Sequence, residues 1–196
     1  MKKGQRTKQQ IISSVAPLFN ERGYFATSMA DVMRVSKQQK GTIYRYFASK
    51  DELAIAAFDY AYAKVKKRFA KAIKDKANTV DRLIAIVEIH AELLEDPFFE
   101  GGCPIFNTAV EGDDTHPELF ARALRAMQEW QEMLKITLVK GIERGEMQAL
   151  NPDEVSSIII SSLEGSIVMA KLYADKKHIK QMAKHLRNYI LTNVAK

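Results

Sequence analysis

The sequence predicts an all-α fold, and three observations lead to that prediction. Apolar residues recur every three to four positions over most of the 196-residue chain, as they do on one face of a helix. The alternation of apolar and polar residues that is typical of half-buried strands does not occur. Only five prolines and nine glycines interrupt the chain, mostly where a helical pattern begins or ends.

The charged residues divide the chain into two parts. Residues 1–50 hold ten Lys and Arg against two acidic residues, whereas the remainder holds 20 basic and 22 acidic residues. A basic head on a nearly neutral body is typical of a module that binds a polyanion and is joined to a second module. We therefore expect a DNA-binding domain over residues 1–50 and a second domain over residues 51–196. A membrane-surface helix is the alternative, but no broad apolar stripe opposes the basic residues.

Composition also bears on the compartment. The chain has one cysteine, so no internal disulfide can form and a reducing compartment is expected. No apolar leader precedes the basic head, and no apolar run approaches the roughly 20 residues that span a bilayer. We expect a soluble, cytoplasmic protein that does not bind a membrane.

The first helix is expected over about Lys8 to Glu21, with Ile12 and Val15 on its buried face. Gly23 follows as a left-handed cap. Pro17 lies inside this helix, where it removes a backbone hydrogen bond and favours a kink. The preceding basic stretch, residues 1–6, is expected to be a mobile arm, with minor-groove contact as the alternative.

Two short helices are predicted next. Ser28 and Asp31 form a variant capping box at the start of the second helix, and after a short turn Ile43 and Phe47 share one face of the third. That face anchors the segment, and the remaining side chains suit phosphates or base edges. A helix-turn-helix is the corresponding motif, and a merely solvated basic face is the alternative. The candidate DNA-binding residues are Ser28, Lys37, Gln38, Gln39, Lys40, Gly41, Thr42, Tyr44, Arg45, Tyr46 and Lys50.

The residues from Thr7 to Leu53 resemble the DNA-binding domain of the tetracycline-repressor (TetR) family of bacterial regulators. The matching segments are 18–24, 27–28, 31–32, 40–47 and 49–53, in order and at fixed spacing. Members usually carry a small residue, often Gly, and then an apolar residue in the turn, where this chain has Lys37 and Gln38. The length of the turn is unchanged, so the resemblance still implies a helix-turn-helix.

A long fourth helix is expected to begin at Asp51, with Ser49 as its N-cap. Its apolar stripe runs from Leu53 to Ile73 without a linker between the two predicted domains. A change in the body would then reach the head through a rigid lever. Further helices are predicted over residues 78–95, 104–111, 117–144 and 152–174, and a last helix is capped by Asp175.

The helix over residues 152–174 is apolar around most of its circumference, which indicates burial on several sides. With the last helix it is expected to form a two-fold dimer interface, as the family resemblance also implies. A core helix of a monomer is the alternative. A dimer would place two recognition helices about 34–36 Å apart and would predict a palindromic operator.

Large, adaptable side chains gather on the middle helices. Met and aromatic residues suit irregular apolar cavities, although at helical spacing they also form ordinary core. The resemblance implies an enclosed site for a small-molecule effector, in which Asn107 and Glu111 serve as polar anchors. The candidate ligand-binding residues are Cys103, Phe106, Asn107, Glu111, Met127, Trp130, Met169 and Tyr173.

Neither a catalytic centre, a metal site nor a cofactor is predicted. The four histidines have no zinc-ligand spacing with Cys103 or a carboxylate, and phosphate-loop, nucleophile-elbow and kinase motifs are missing. Acidic neighbours favour an unreactive Cys103 over a redox sensor. The expected function is a homodimeric transcriptional regulator, most simply a repressor released from its operator by an apolar or amphipathic effector. An effector-independent DNA-binding protein with a scaffold body is the alternative, and an enzyme is the third hypothesis.

Overall fold

The computed structural model describes residues 3–113 and 115–196, without the side chains of Lys3 and Pro97. Helices account for most of these residues, and the strand-like pairing they contain is an isolated bridge between Met147 and Ala195. The all-α prediction is therefore confirmed. The helices are α1 (Lys3–Arg22), α2 (Met29–Ser36), α3 (Lys40–Tyr44), α4 (Lys50–Ile73), α5 (Thr79–Ala91), α6 (Pro104–Gly112), α7 (Pro117–Glu143), α8 (Pro152–Leu172) and α9 (Lys177–Tyr189).

The described chain forms two compact units. The first unit consists of the chain up to Val65 together with Glu95–Leu124. The second unit consists of Lys66–Leu94 and Arg125–Lys196. Two of the three boundaries fall inside α4 and α7, and the third falls within the short 3-10 turn Leu93–Glu95. The predicted division at residue 50 concerns function and stays a prediction.

Helix α1 begins earlier than the sequence predicted. It starts at Lys3, so the expectation of a mobile arm is wrong for residues 3–6, while Met1 and Lys2 lie outside the described residues. Gly23 ends the helix with a φ of +83° and donates its N–H to the carbonyl of Phe19 at 2.9 Å. The predicted left-handed cap is confirmed.

The first three helices share a small apolar core with the start of α4. Its buried members come from α1, α2, α3, the turn after α3 and the start of α4. Because α3 packs into this shared core, so short a helix keeps a fixed orientation. These residues are Ile11, Ile12, Val15, Val32, Ile43, Phe47 and Leu53. Helix α6 also contacts α1 in this unit, as does the 3-10 turn Pro97–Phe99.

In the second unit, α8 and α9 pack along each other and both contact α5. The predicted start of α8 is confirmed, because the Asn151 side chain accepts the N–H of Asp153 at 3.0 Å and Pro152 occupies the first turn. At α9 the cap is displaced by one residue. Lys176 is the N-cap, although Asp175 still accepts the N–H of Lys177 at 2.9 Å.

Helix α8 is long and apolar enough to cross a bilayer by length and composition alone, the one such helix among the described residues. The expectation that no segment meets this condition was therefore too strict. Buried core helices meet the same condition, and α8 buries the polar side chains Ser156, Glu164 and Ser166 within its unit. Its contacts are those of a packed helix.

Candidate nucleic-acid interface

Helix α2 is fixed by a capping box. The Ser28 side chain accepts the N–H of Asp31 at 3.2 Å, and the backbone N–H of Ser28 donates to the Asp31 carboxylate at 3.1 Å. The Ser28 hydroxyl also donates to that carboxylate at 2.6 Å. These bonds from Ser28, with further contributions from Arg34 and Arg22, lower the pKa of Asp31 to about 2. Ser28 is thus held by the cap at the position where the sequence predicts a DNA contact.

The turn between α2 and α3 requires a left-handed residue. Lys37 adopts φ +54° and ψ +31°, a conformation that costs a residue with a Cβ more than glycine. The departure from the usual family pattern therefore falls at the position where glycine would be easiest to accommodate. The turn still closes at the same length, and α3 begins at Lys40 after the extended residue Gln39.

Helix α3 is anchored by one face and open on the other. Ile43 of α3 and Phe47 of the turn after it are each 1% exposed, so the predicted burial of both residues is confirmed. The predicted shared helical face is not, because α3 ends at Tyr44. Gly41 faces open space, since a Cβ placed there would meet no atom within 4 Å. The candidate DNA-binding residues divide into an exposed set, Ser28, Lys37, Gln39, Lys40, Gly41, Tyr44 and Arg45, and a half-buried set, Gln38, Thr42, Tyr46 and Lys50.

Tyr24, which the sequence argument did not single out, organises the side of this surface next to α4. The Lys50 ammonium lies 4.3 Å from the centre of its ring, and partial burial lowers the pKa of Lys50. The Tyr24 hydroxyl bonds to the Asp51 carboxylate. Burial and then this neighbouring carboxylate raise the pKa of Tyr24 to about 12. Lys50 is therefore a positioned cation.

The predicted effector anchor Glu111 has a different set of contacts. Its carboxylate accepts the backbone N–H groups of Tyr24 at 2.8 Å and Phe25 at 2.9 Å. It therefore provides hydrogen-bond acceptors for two backbone N–H groups of the loop that leads from α1 to α2. A carboxylate with two backbone donors already in place is a structural tie between α6 and the DNA-binding helices.

Asn107 makes a second tie between α6 and α1. Its Nδ2 group lies 3.0 Å from the side-chain oxygen and 3.1 Å from the carbonyl oxygen of Asn20, and 2.8 Å from the carbonyl of Gly101. Asn20 in turn donates to the carbonyl of Gly102 at 2.9 Å. Both polar groups expected in the effector site thus hold α6 to the end of α1.

The remaining candidate ligand residues are dispersed. In the first unit, Cys103 is buried and Phe106 is half-buried. In the second, Trp130 is buried and Met127 is half-buried, whereas Met169 and Tyr173 are 40% and 65% exposed. Met169 lines an open groove between α8 and α9, and the Tyr173 ring lies 5.2 Å from that of His178.

Two buried polar residues of the second unit were missed from the sequence. His90 of α5 is 2% exposed and Glu164 of α8 is 4% exposed, and the His90 ring stacks on Trp130 at 4.8 Å. A histidine or glutamate within an apolar helical stripe was the available indication, but periodicity alone does not tell burial from a local break in the stripe. Within the described ranges, three or more His, Cys, Asp or Glu side chains are nowhere grouped as a metal site would require.

Comparison with known proteins agrees with this geometry. Residues 11–57 match the family model described as bacterial regulatory proteins of the tetR family, and residues 79–186 match the tetracyclin repressor-like C-terminal domain. A crystal structure of a TetR transcriptional regulator from Chloroflexus aurantiacus is 39% identical, with a TM-score of 0.94 over 100% of this chain and 99% of that one.

Two curated relatives are more distant in sequence. An uncharacterised HTH-type transcriptional regulator of Mycobacterium tuberculosis is 28% identical over 97% of both chains. The HTH-type transcriptional repressor DhaR of a Mycobacterium species, strain GP1, is 22% identical over 89% of this chain and 87% of its own.

Proposed function

This chain belongs to the TetR family of DNA-binding transcriptional regulators, and we propose that it is a homodimeric repressor that leaves its operator when a small apolar or amphipathic effector binds. Proteins of this family bind DNA and are not enzymes. We place its action in the bacterial cytoplasm, where its DNA target lies.

The anchoring of α3 is the observation that carries the DNA-binding proposal. Burial of Ile43 and Phe47 fixes the helix, and exposure of Gln39, Lys40 and Tyr44 leaves its polar side chains available to a groove. Lys and Arg suit phosphates, and Gln suits adenine through two hydrogen bonds. The open space at Gly41 permits close approach of a phosphate backbone.

A band-shift series tests these roles. Tyr44→Phe and Lys50→Ala are expected to weaken binding to all duplexes, because their contacts go to the phosphate backbone. Gln39→Ala is expected to relax base preference at one operator position. The control Lys71→Ala removes an exposed charge on α4 outside the proposed interface and should leave affinity unchanged. Unaltered binding of all three test variants would overturn the assignment of α3.

We propose that α8 and α9 pair with the same helices of a second copy. The groove between them is lined mostly by apolar and small side chains, among them Gly165 and Met169, with the polar side chains His178, Gln181 and His185 beside them. Along α8, Ile158 and Leu172 are 40% and 75% exposed. A second copy would cover these groups and set two α3 helices about 34–36 Å apart, on successive major grooves of a palindromic operator.

Release by an effector requires a path from the ligand to α3, and the ties made by α6 supply part of it. Glu111 holds the backbone of Tyr24 and Phe25, and this loop leads directly into the capping box of α2. We propose that effector binding favours a position of α6 in which this loop, and with it α3, no longer matches the operator. The ligand thereby shifts a population between two states for which it has different affinities.

The repressor assignment is supported by similarity to the transcriptional repressor DhaR and to the tetracyclin repressor-like C-terminal domain. A thermal-shift screen followed by operator release tests it. A ligand-gated repressor should be stabilised by some apolar compounds, and those compounds should lower operator affinity. A chain that binds operator but responds to no compound would instead be an effector-independent DNA-binding protein.

A further inference from the structure

His116, the residue before the first turn of α7, makes contacts with three parts of the first unit. Its Nδ1 atom accepts the backbone N–H of Leu119 at 3.3 Å, and its carbonyl accepts the N–H of Phe120 at 3.0 Å. Its ring meets the ring of Tyr24 edge to face, with 5.0 Å between the centres and 89° between the planes. Its Nε2 atom lies 3.8 Å from Oδ1 of Asp51. One imidazole therefore links the start of α7 to the loop after α1 and to the start of α4.

Capping of α7 does not by itself account for a histidine at this position. The side chains that usually cap a helix are those of Ser, Thr, Asp and Asn, whose oxygen atoms reach the third helical N–H. The same chain uses such caps at Ser28 and Asn151. These side chains end about where Nδ1 of a histidine lies, so they would not extend to Tyr24 and Asp51 as well. The His116 side chain makes both further contacts and is only 13% exposed.

The cap also determines which nitrogen of His116 carries the proton. Because Nδ1 accepts a hydrogen bond, the proton of the neutral ring lies on Nε2, the nitrogen that faces the Asp51 carboxylate. Asp51 also accepts the hydroxyl proton of Tyr24. Burial and this carboxylate raise the pKa of Tyr24 to about 12, so the hydroxyl is protonated at physiological pH. His116 and Tyr24 thus present two N–H or O–H groups to one carboxylate.

The Tyr24 ring is in turn the surface on which the Lys50 side chain lies. The Lys50 ammonium is 4.3 Å from the centre of the ring, within the range of a cation–π contact. The bond from the Tyr24 hydroxyl to Asp51 and the edge-to-face contact with His116 both restrict the orientation of this ring. The position of the Lys50 ammonium therefore depends on His116, although the two side chains belong to different helices.

We propose that His116 is a positioning residue for DNA binding, which acts through Asp51 and Tyr24 to hold the Lys50 ammonium where a DNA phosphate accepts it. The inference rests on the DNA contact proposed for Lys50 and adds the start of α7 to the elements that determine it. This route is separate from the tie made by Glu111, which holds the backbone of Tyr24 and not its ring. A displacement of the start of α7 would then reach Lys50 directly.

A double-mutant cycle tests this route. The probe is a labelled duplex that the unaltered full-length protein has selected from a random-sequence pool, and fluorescence anisotropy measures its affinity. His116→Asn keeps an acceptor for the cap but loses the contacts with Tyr24 and Asp51. It should lower affinity about two- to fivefold, the range of an exposed cation–π contact. Lys50→Ala should lower affinity at least as much, and adding His116→Asn to it should cause no further loss, because the side chain through which His116 acts is then missing.

The outcomes separate this inference from the function on which it rests. Unchanged affinity of Lys50→Ala contradicts the proposed phosphate contact and the positioning role together. If Lys50→Ala weakens binding but His116→Asn does not, or if the two losses add, the phosphate contact stands and the positioning role is overturned. The control Glu118→Gln changes an exposed side chain two positions further along α7 and should leave affinity unchanged. A loss in this control as large as that of His116→Asn also overturns the role.

A spectroscopic measurement tests the ring of His116 in the unaltered protein. In 15N-labelled, backbone-assigned protein at pH 7.5, its imidazole shifts should be those of a neutral ring with the proton on Nε2. A proton on Nδ1 is incompatible with the bond from Leu119 and overturns the proposal. If His116→Asn fails to fold by circular dichroism, Tyr24→Phe takes its place in the cycle, since it removes the bond to Asp51 and keeps the ring. Its loss should likewise disappear in Lys50→Ala, and additive losses overturn the proposal.

Discussion

The Glu111 carboxylate lies 2.8 Å from the backbone nitrogen of Tyr24, a residue 87 positions earlier in the chain. The same carboxylate accepts the N–H of Phe25, so one side chain of α6 satisfies two successive donors of the loop before α2. The backbone N–H groups of an exposed loop can donate to water instead. Because these two donate to a side chain of α6, the position of the loop depends on the position of that helix. This dependence can be tested separately from any ligand.

Glu111→Gln is expected to destabilise the protein and weaken operator binding together. The amide replaces one accepting oxygen with an NH2 group that faces a backbone N–H, so one of the two loop bonds is lost at a cost of about 1–3 kcal/mol. Urea unfolding measures the stability and band shifts measure the affinity. The matched control is Glu118→Gln, which removes an exposed carboxylate whose partner Arg122 lies 3.5 Å away on α7. Similar small effects of both variants would show that the loop does not depend on α6.

Lys37→Gly is expected to change stability and DNA affinity in opposite directions. Glycine adopts φ +54° without the cost of about 1–2 kcal/mol that a left-handed conformation imposes on a residue with a Cβ, which favours the variant fold. Greater freedom of the unfolded chain offsets part of this gain. The loss of a cation should weaken binding to every duplex and reduce the salt slope by about one phosphate contact.

Urea unfolding and band shifts over a salt series measure the two effects of Lys37→Gly. Lys40→Ala is the comparison, since it removes a cation from α3 without changing a left-handed position. It should weaken binding without stabilising the fold. A Lys37→Gly protein that binds DNA as tightly as the original would remove Lys37 from the interface.

Local features of this fold were predictable because their causes lie within a few residues. The Ser28–Asp31 cap depends on a spacing of three, and the burial of Ile43 and Phe47 was indicated by two apolar side chains within an otherwise polar segment. The cap at Asn151 has the same local origin. Each of these predictions is confirmed.

The ties made by α6 were not predictable because their partners are distant in sequence. Asn107 and Glu111 lie one turn apart on α6, and nothing in that spacing indicates that their partners are Asn20 and the loop after Gly23. Met169, which was expected in an enclosed pocket from its chemistry, is 40% exposed and lines the open groove between α8 and α9, and its role in ligand binding stays a prediction. Residue type predicts what a side chain can contact, whereas packing of distant helices decides which contact it makes.

Ile158→Lys is expected to convert the proposed dimer into monomers. Ile158 is 40% exposed on α8, and a lysine there would place an unpaired charge in an apolar interface. Sedimentation equilibrium should show a lower mass, and affinity for a palindromic operator should fall while binding to a half-site is retained. The control Val110→Lys changes a side chain that is 65% exposed on α6, a helix outside the proposed α8–α9 pairing, and should leave the dimer intact. A dimeric Ile158→Lys protein would exclude this face of α8.

Buried His90 predicts how stability falls in mild acid. Its pKa is lowered to about 3 by burial, against 6.5 in an unfolded chain, so below pH 6.5 the unfolded state takes up a proton that the folded state does not. This contribution to stability is complete above pH 6.5 and is lost as the pH falls toward 3, at a limiting rate of about 1.4 kcal/mol per pH unit. The free energy of unfolding in urea, measured at pH 7.5, 6.5 and 5.5, should decrease chiefly over the last interval. His90→Phe should remove that part of the decrease. If His90→Phe and the unaltered protein lost stability in parallel, His90 would take up its proton at the same pH in the folded and the unfolded state, which would contradict a pKa lowered by burial.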